Sequence, residues 1–265
     1  MTLILVLDVG NTSTMLGVLD GERMVHTWRI RTDPRTTDEL GSLLLQLLAH
    51  RGVEPDALVG AMGGVVVPSM RYAVEEACRR YLDIECRFVG QGTRTGMKLR
   101  VQNPREVGAD RIANAVGALH RWGGPVVVVD LGSATTVDAV NGQGEFVGGV
   151  IAPGFRVAGE ALFAHAAQLP RVELAPPTGG VIGRNTQDAV QAGLFHGFVG
   201  LVDHLAAQVR AALAPDDDPG SVRVVATGDY ATLFQEASRE IGEVDRLLTL
   251  RGLGLLHERN PPRRP

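Results

Sequence analysis

The stretch Leu5–Thr14, LVLDVGNTST, decides how the chain is read. An apolar run ends in Asp8. A turn carrying Gly10, Asn11, Thr12, Ser13 and Thr14 follows, before Met15. A second copy, VVVDLGSATT, stands at Val127–Thr136: Asp130 matches Asp8, Gly132 matches Gly10 and Thr136 matches Thr14. Each copy runs on as a β-like segment, the first to Asp20-Gly21 and the second to Asn141-Gly142. Both dipeptides favour tight hairpins, because both turn positions want φ > 0. Each half therefore reads strand, hydroxyl-bearing loop, strand, tight turn, strand. Two such halves face to face imply a cleft with one carboxylate from each side. A glycine turn lets backbone N–H groups approach a phosphate, and Ser and Thr hydroxyls add donors. A carboxylate at the strand end can hold a hydrated Mg²⁺ that bridges nucleotide phosphates. The plainer alternative is a β-hairpin with a polar turn, and the duplication weighs against it.

The 265 residues suffice for one large domain or two fused halves. The apolar share of 45% and charged share of 21% are those of a globular protein. The 33 glycines fit many tight turns and backbone-lined phosphate sites. A net charge of −4 gives no electrostatic case for nucleic acid. Cys78 and Cys86 lack metal-ligand spacing and read as two buried free thiols. No apolar run reaches membrane-span length, and Thr2–Leu7 is too short for a signal segment, so a cytoplasmic protein is expected.

Outward from the two motifs, Thr14–Leu19 and Met24–Ile30 complete the first meander. Thr36 and Glu39 form a capping box before Leu40, Leu44 and Leu48, and Gly52 ends that helix. A strand over Ala57–Val67, a helix from Pro68 to Tyr81 and a strand over Ile84–Val89 follow. Gly90–Pro104 is a long polar loop. Arg105–Arg121 predicts a helix carrying Asp110 and Arg111 near its start, where an acid ordinarily compensates the helix dipole. In the second half the meander ends at Ile151, Pro153-Gly154 opens a helix through Ala167, and Thr186 caps a long helix to Leu213. That helix carries Gly193, Gly197 and Gly200 near one face, as close approach to another helix or a partner subunit requires. His196 and His204 lie in its apolar stretch and read as structural. Gly228 directly follows the strand Val222–Thr227. It could seat a base or ribose, or simply turn the chain. Leu253–Arg259 reads as a short last helix. No P-loop and no nucleophile elbow is present.

DVGNTST at Asp8–Thr14, NPREVGADR at Asn103–Arg111, VDLGSATT at Val129–Thr136, GGVIAPG at Gly148–Gly154 and IGRNT at Ile182–Thr186 appear in one order. Together they closely resemble type III pantothenate kinase, of the acetate and sugar kinase/actin-like superfamily. The resemblance runs from Leu3 to about Asn260. It implies a duplicated α/β fold with two βββαβα-type halves, 1–120 and 121–260, flanking a nucleotide cleft, and a tail at 261–265. It also implies ATP-dependent phosphorylation of pantothenate at its primary hydroxyl, the first step of coenzyme A synthesis. The family is dimeric and uses Mg²⁺ and a monovalent cation, K⁺ or NH₄⁺. By position, Asp8, Val9, Gly10, Asn11, Thr12, Ser13, Thr14 and Met15 would bind the ATP phosphates, with Asp8 near the Mg²⁺. Ser133 would contact ATP and Asp130 would bind the K⁺. Gly108, Ala109, Asp110 and Arg111 would hold pantothenate, with Asp110 accepting its hydroxyl proton, and Thr186 would contact it too.

Three positions depart from the family's habit. Val101 stands where a Tyr at the substrate is common, Ser13 where Asn is frequent, and Asp229 after Gly228 where a second Gly is usual. None removes a carboxylate, so an active kinase is expected. Two other readings compete. One is a noncatalytic regulatory relative of the kind described as a transcription accessory factor, for which the chain offers no basic patch. The other is a different activity on the same fold.

Overall fold

The computed structural model describes residues 2–214 and 218–261. Residues 215–217, within the aspartate-bearing stretch Pro215–Gly220 that reads from sequence as a solvated loop, and all of the expected tail beyond Pro261 lie outside the described residues. In chain order the elements are β1 (Leu3–Val9), β2 (Ser13–Asp20), β3 (Arg23–Arg31), α1 (Thr37–His50), β4 (Leu58–Val65), α2 (Pro68–Leu82), β5 (Cys86–Phe88) and α3 (Ala109–Trp122). Then come β6 (Val126–Leu131), β7 (Ala134–Val140), β8 (Phe146–Pro153), α4 (Phe155–His165), α5 (Thr186–Leu213), β9 (Arg223–Thr227), α6 (Ala231–Gln235), β10 (Glu243–Val244) and α7 (Leu248–Arg259). They form two compact units. One comprises 1–98, 102–120 and 248–265, the other 99–101 and 121–247. The last helix, expected with the second half, thus packs with the first.

Each unit holds a five-stranded mixed sheet of the same order, β3-β2-β1-β4-β5 and β8-β7-β6-β9-β10. In each, three antiparallel strands continue into parallel pairings, β1 with β4 and β6 with β9. Side chains alternate along a strand, and the alternation sorts β1. Leu3, Leu5, Leu7 and Val9 join Leu40, Leu44 and Leu48 of α1 and Val74 and Ala77 of α2 in one core. That leaves Ile4, Val6 and Asp8 on the opposite face. β6 repeats the arrangement: Val127, Val129 and Leu131 pack with Phe195, Phe198 and Val202 of α5, leaving Val126, Val128 and Asp130 on the other face. Burying each such aliphatic side chain contributes about 1.5–3 kcal/mol, so the register that turns both carboxylates away from the core is firmly set.

The capping box forms as expected. Glu39 N–H donates to Thr36 Oγ1 at 3.3 Å and Thr36 N–H to Glu39 Oε2 at 2.8 Å, which holds the Glu39 carboxyl below its ordinary range. Other boundaries shift. The hairpin expected at Asp20-Gly21 turns on Gly21-Glu22, since Asp20 pairs with Arg23 and only Gly21 has φ > 0 (58°). That is the pattern of a II′ turn. Asn141-Gly142 forms no two-residue turn. Asn141 Oδ1 accepts from Gln143 N–H and Glu145 N–H, and the positive φ falls on Gly144. The Asn side chain thereby builds a longer loop. The helix expected from Arg105 starts at Ala109, after a 3₁₀ turn at Pro104–Glu106 where Asn103 Oδ1 accepts from Arg105 N–H. The last helix begins at Leu248, five residues before the expected start. Gly252 inside it allows α7 to cross α3 backbone to backbone, because a Cβ there would overlap Ala113 O.

Cys78 and Cys86 are free and buried, as expected. The neighbouring Cys78 sulfur, with burial, pushes the Cys86 thiol well above its usual range. Because the thiolate is the reactive form, native protein should show no fast reaction with a disulfide reagent, and both thiols should titrate only after denaturation. A rapid equivalent released from the folded chain would contradict this burial.

Candidate active site

Asp8 sits half-buried near the end of β1, between Met15 of β2 and Gly64 of β4. The loop after it closes by Gly10 N–H donating to Ser13 O at 3.1 Å. Val9 and Thr14 are buried and pair, Asn11 is exposed, and Thr12, Ser13 and Met15 are half-buried. Thr14 Oγ1 lies 2.8 Å from Thr32 Oγ1, Thr12 O accepts from Thr32 N–H, and Ser13 Oγ accepts from Arg29 at 3.3 Å. Arg29 of β3 and Thr32 just after it therefore anchor the Ser13 and Thr14 hydroxyls and the Thr12 carbonyl.

Asp110 is the second residue of α3. Its Oδ1 accepts from Arg111 N–H at 2.8 Å, and its Oδ2 has no hydrogen-bond partner among the described residues. One carboxylate oxygen is thus fixed and the other open to a hydroxyl. Gly64 locates the start of α3 relative to Asp8. An ideal Cβ on Gly64 would lie 3.7 Å from Asp8 Oδ1, 3.7 Å from Ala109 Cβ and 3.6 Å from Leu253 Cδ2. The end of β1 and the first residue of α3 therefore flank one glycine of β4, and Gly108 and half-buried Arg111 lie beside Ala109 and Asp110 in sequence. Asn114, one turn on, is fully buried and accepts from Thr249 Oγ1 of α7 at 2.7 Å, which pins the helix.

In the second unit the loop Gly132–Ala134 closes by Gly132 N–H donating to Ala134 O at 3.1 Å. It is one residue shorter than its counterpart, and the register follows: Val9 pairs with Thr14, but Leu131 pairs with Thr135. Thr135, not Thr136 as the sequence alignment suggested, is the counterpart of Thr14. Thr136 instead pairs with Asp130, which on its other side pairs with Thr227 of β9. Ser133 is half-buried in the loop, and its carbonyl accepts from Gly154 N–H at 3.2 Å. Any side chain at Gly154 would overlap Gly132 O and Ser133 O, so the start of α4 is moulded to this loop. Gly228 has φ +92°, and an ideal Cβ on it would lie 2.5 Å from Asp130 Oδ1 and 2.7 Å from Leu131 backbone. That glycine is required by the end of β6 itself. Sequence reasoning offered only a ligand or a plain turn for it, and missed Gly64 and Gly154 as packing partners of the motifs.

Val101 packs in the second unit, its Cγ1 3.8 Å from an ideal Cβ on Gly148. The segment is held by Arg100 N–H donating to Phe146 O at 2.7 Å and by an Arg100–Glu145 ion pair at 3.0 Å. Thr186 is exposed and is the first residue of α5, not its cap. The cap is Asn185, whose Oδ1 accepts from Asp188 N–H at 2.8 Å. An ideal Cβ on Gly193, Gly197 or Gly200 meets nothing outside its own helix turn within 4 Å among the described residues, so no other described helix of the chain covers them. His196 and His204 lie exposed rather than in the core, because the apolar residues Phe195, Phe198 and Val202 take the buried side of α5.

Known proteins give this arrangement a context. The family model described as type III pantothenate kinase matches residues 4–208. Type III pantothenate kinases of Anaeromyxobacter sp. (strain K), Myxococcus xanthus and Geobacillus kaustophilus are 48%, 47% and 44% identical. Each alignment covers 97% of this chain and 98–100% of the relative. Among solved structures, a putative Baf family transcriptional activator from Campylobacter jejuni aligns with TM-score 0.57 at 18% identity, covering 97% of this chain and 98% of that one. The activator of 2-hydroxyisocaproyl-CoA dehydratase from Clostridium difficile, solved with ADPNP, aligns with TM-score 0.52 at 12% identity, covering 97% and 95%. These likenesses show the fold, the actin-like and sugar-kinase architecture of two matching sheets. With that architecture, with near full-length identity to its members, and with Asp8, Asp110 and Asp130 each at the end or start of the expected element, the chain belongs to the type III pantothenate kinase family.

Proposed function

We infer that this protein transfers a phosphoryl group from ATP to the primary hydroxyl of pantothenate, the first step of coenzyme A synthesis. The observation that carries the reading is that Asp8 and Ala109, the residue before Asp110, meet at Gly64 while one oxygen of Asp110 stays open, in a chain whose relatives are named for this activity. Phosphoryl transfer has a loose transition state, so positioning and charge stabilisation do most of the catalysis. Residues Asp8–Met15 and Ser133 would cradle the ATP phosphates. Asp8 suits Mg²⁺, which keeps several waters and needs only one or two carboxylates beside the phosphates. Asp110 would orient the substrate hydroxyl and take its proton. Val101, Gly108–Arg111 and Thr186 would bind pantothenate, Arg111 supplying a cation for its carboxylate. Asp130 would hold K⁺ or NH₄⁺: both residues paired with it, Thr136 and Thr227, are oxygen donors, as a hard monovalent ion requires.

A coupled assay of ADP release, with and without pantothenate, tests the function. Pantothenate-dependent release is expected. Release without it would indicate another activity on this fold, and none at all a noncatalytic relative. Val101 offers a finer test. If a phenol there helps bind substrate, Val101→Tyr should lower the KM for pantothenate and leave that for ATP nearly unchanged. Equal shifts in both would show that the segment does not serve pantothenate.

A homodimer is supported by the uncovered glycine face of α5 and by exposed Val181 and Ile182 just before it. Gly197→Leu should therefore turn the light-scattering mass from dimer to monomer. A dimer mass unchanged by it would place the contact elsewhere. A cytoplasmic setting agrees with the substrates. Among the described residues no helix is long and apolar enough to cross a membrane.

A further inference from the structure

Buried polar atoms nearly always find a hydrogen-bond partner, and an exception calls for a reason. Thr227 Oγ1 is one. The residue is 1% exposed, and its hydroxyl has no partner among the described residues. It stands beside Asp130, which in turn stands beside Thr136, so the three lie in one row across β9, β6 and β7. Residues paired on adjacent strands share a face about 4.8 Å apart. The row lies on the face that β6 turns away from Phe195, Phe198 and Val202.

The hydrogen bonds within the row are directional. Thr136 Oγ1 donates to Asp138 Oδ2 at 3.3 Å, and Asp138 is fully buried. With its single proton committed there, the Thr136 oxygen has lone pairs left for the row. Thr227 stands next to a carboxylate yet does not donate to it. A hydroxyl whose purpose was to hydrogen-bond Asp130 would do so. A hydroxyl that shares a cation with the carboxylate must instead turn its oxygen to the ion and its proton elsewhere. The donor set is one acid and two neutral oxygens, and no three His, Cys, Asp or Glu side chains gather as a metal-binding group among the described residues. That chemistry suits a weakly held monovalent ion better than a transition metal.

We propose that Thr227 and Thr136 are oxygen ligands of the monovalent cation held by Asp130, with Asp138 as the positioning residue that turns the Thr136 lone pairs to it. The proposal rests on the cation reading of Asp130 given above. It assigns cation-binding roles to Thr227 and Thr136, which the sequence motifs leave without one.

The test uses the full chain and the K⁺-induced rise in its thermal midpoint, measured against tetramethylammonium at equal ionic strength. Thallous ion binding followed by ²⁰⁵Tl resonance is a second readout. In wild type the rise should saturate with K⁺. Thr227→Val keeps the shape and removes the oxygen. It should need about tenfold more K⁺, the loss expected for one contact to a charged group. In tetramethylammonium it should melt no lower than wild type, because an unpartnered buried hydroxyl has been replaced by a methyl group. Thr227→Ser restores the oxygen and should respond to K⁺ within about threefold of wild type. A Thr227→Val protein with wild-type K⁺ dependence would overturn the proposal and leave Asp130 as the cation holder. A Thr227→Ser protein that loses the K⁺ response would overturn it too, because the position would then matter for packing. A wild-type protein with no K⁺ or Tl⁺ response would remove the cation reading and this proposal together.

Discussion

Asp110→Asn should lower kcat by about 10²–10⁴-fold, the usual worth of a positioned general base. The substitution keeps the size of the side chain and one acceptor oxygen. The oxygen that accepts from Arg111 N–H can therefore stay in place at the start of α3, and the fold should survive. What is lost is the second carboxylate oxygen, open among the described residues, which would take the hydroxyl proton of pantothenate. ATP binding should change little, and pantothenate binding should weaken modestly. Asp8→Asn should behave differently, impairing use of Mg²⁺-ATP and recovering in part at higher Mg²⁺. Single-turnover rates at saturating substrates would separate the two. A turnover for Asp110→Asn within about threefold of wild type corresponds to less than about 1 kcal/mol. Asp110 would then be only a polar residue compensating the dipole at the start of a helix.

Gly228→Ala should be nearly as damaging by a different route. A side chain in the left-handed region costs about 1–2 kcal/mol, and at φ +92° the new methyl group would also meet Asp130 Oδ1 and the Leu131 backbone. Overpacking of this kind typically adds about 1–3 kcal/mol. Set against a total stability of about 5–15 kcal/mol, the combined loss should lower the melting midpoint by on the order of 10 °C. The neighbours that must yield are the carboxylate of Asp130 and the strand end leading to Ser133, so ATP use should fall as well, by about 10²-fold for a displacement near 1 Å. Thermal denaturation and ATP kinetics check the two effects. A variant with wild-type melting and wild-type ATP kinetics would mean that β6 tolerates the methyl group and that the glycine is not required.

The duplication in the sequence revealed the architecture, because alternating apolar residues and Gly-bearing turns act locally. Thr2 to Leu7 and Val126 to Val129 could be read as buried strands without knowing their neighbours, two residues short of their observed ends, and the capping box at Thr36 and Glu39 likewise. What escaped was settled by tertiary partners. The register difference between the two loops depends on a single residue of loop length, which an alignment by letters conceals: the eye pairs Thr136 with Thr14, while the chain pairs Thr135. Gly252 made the last helix look short, since glycine weakens a helical reading, whereas α3 requires it there. Thr186 looked like a cap because it follows a polar turn, but Asn185 one residue earlier has the extended backbone and the accepting oxygen. The candidate site was legible as residue types and not as geometry. Asp110 had no local signal beyond an acid at a helix start, and only the resemblance to a family raised it further.

The return of α7 to the first unit bears on synthesis of the chain. All of the second unit but 99–101 is inserted between α3 and α7, and Arg87 donates to the carbonyls of Asn260 and Pro261 beyond α7. On a ribosome the inserted unit can collapse on its own contacts while the first waits, incomplete, for residues made after it. The face of β1 and β4 that carries Asp8 stays uncovered until Leu250 and Leu253 arrive, so the Gly10 loop is translated before the second unit and is finished only after it. A chain ending before Leu248 would lose the packing behind its first motif, although nothing near that motif in sequence had changed.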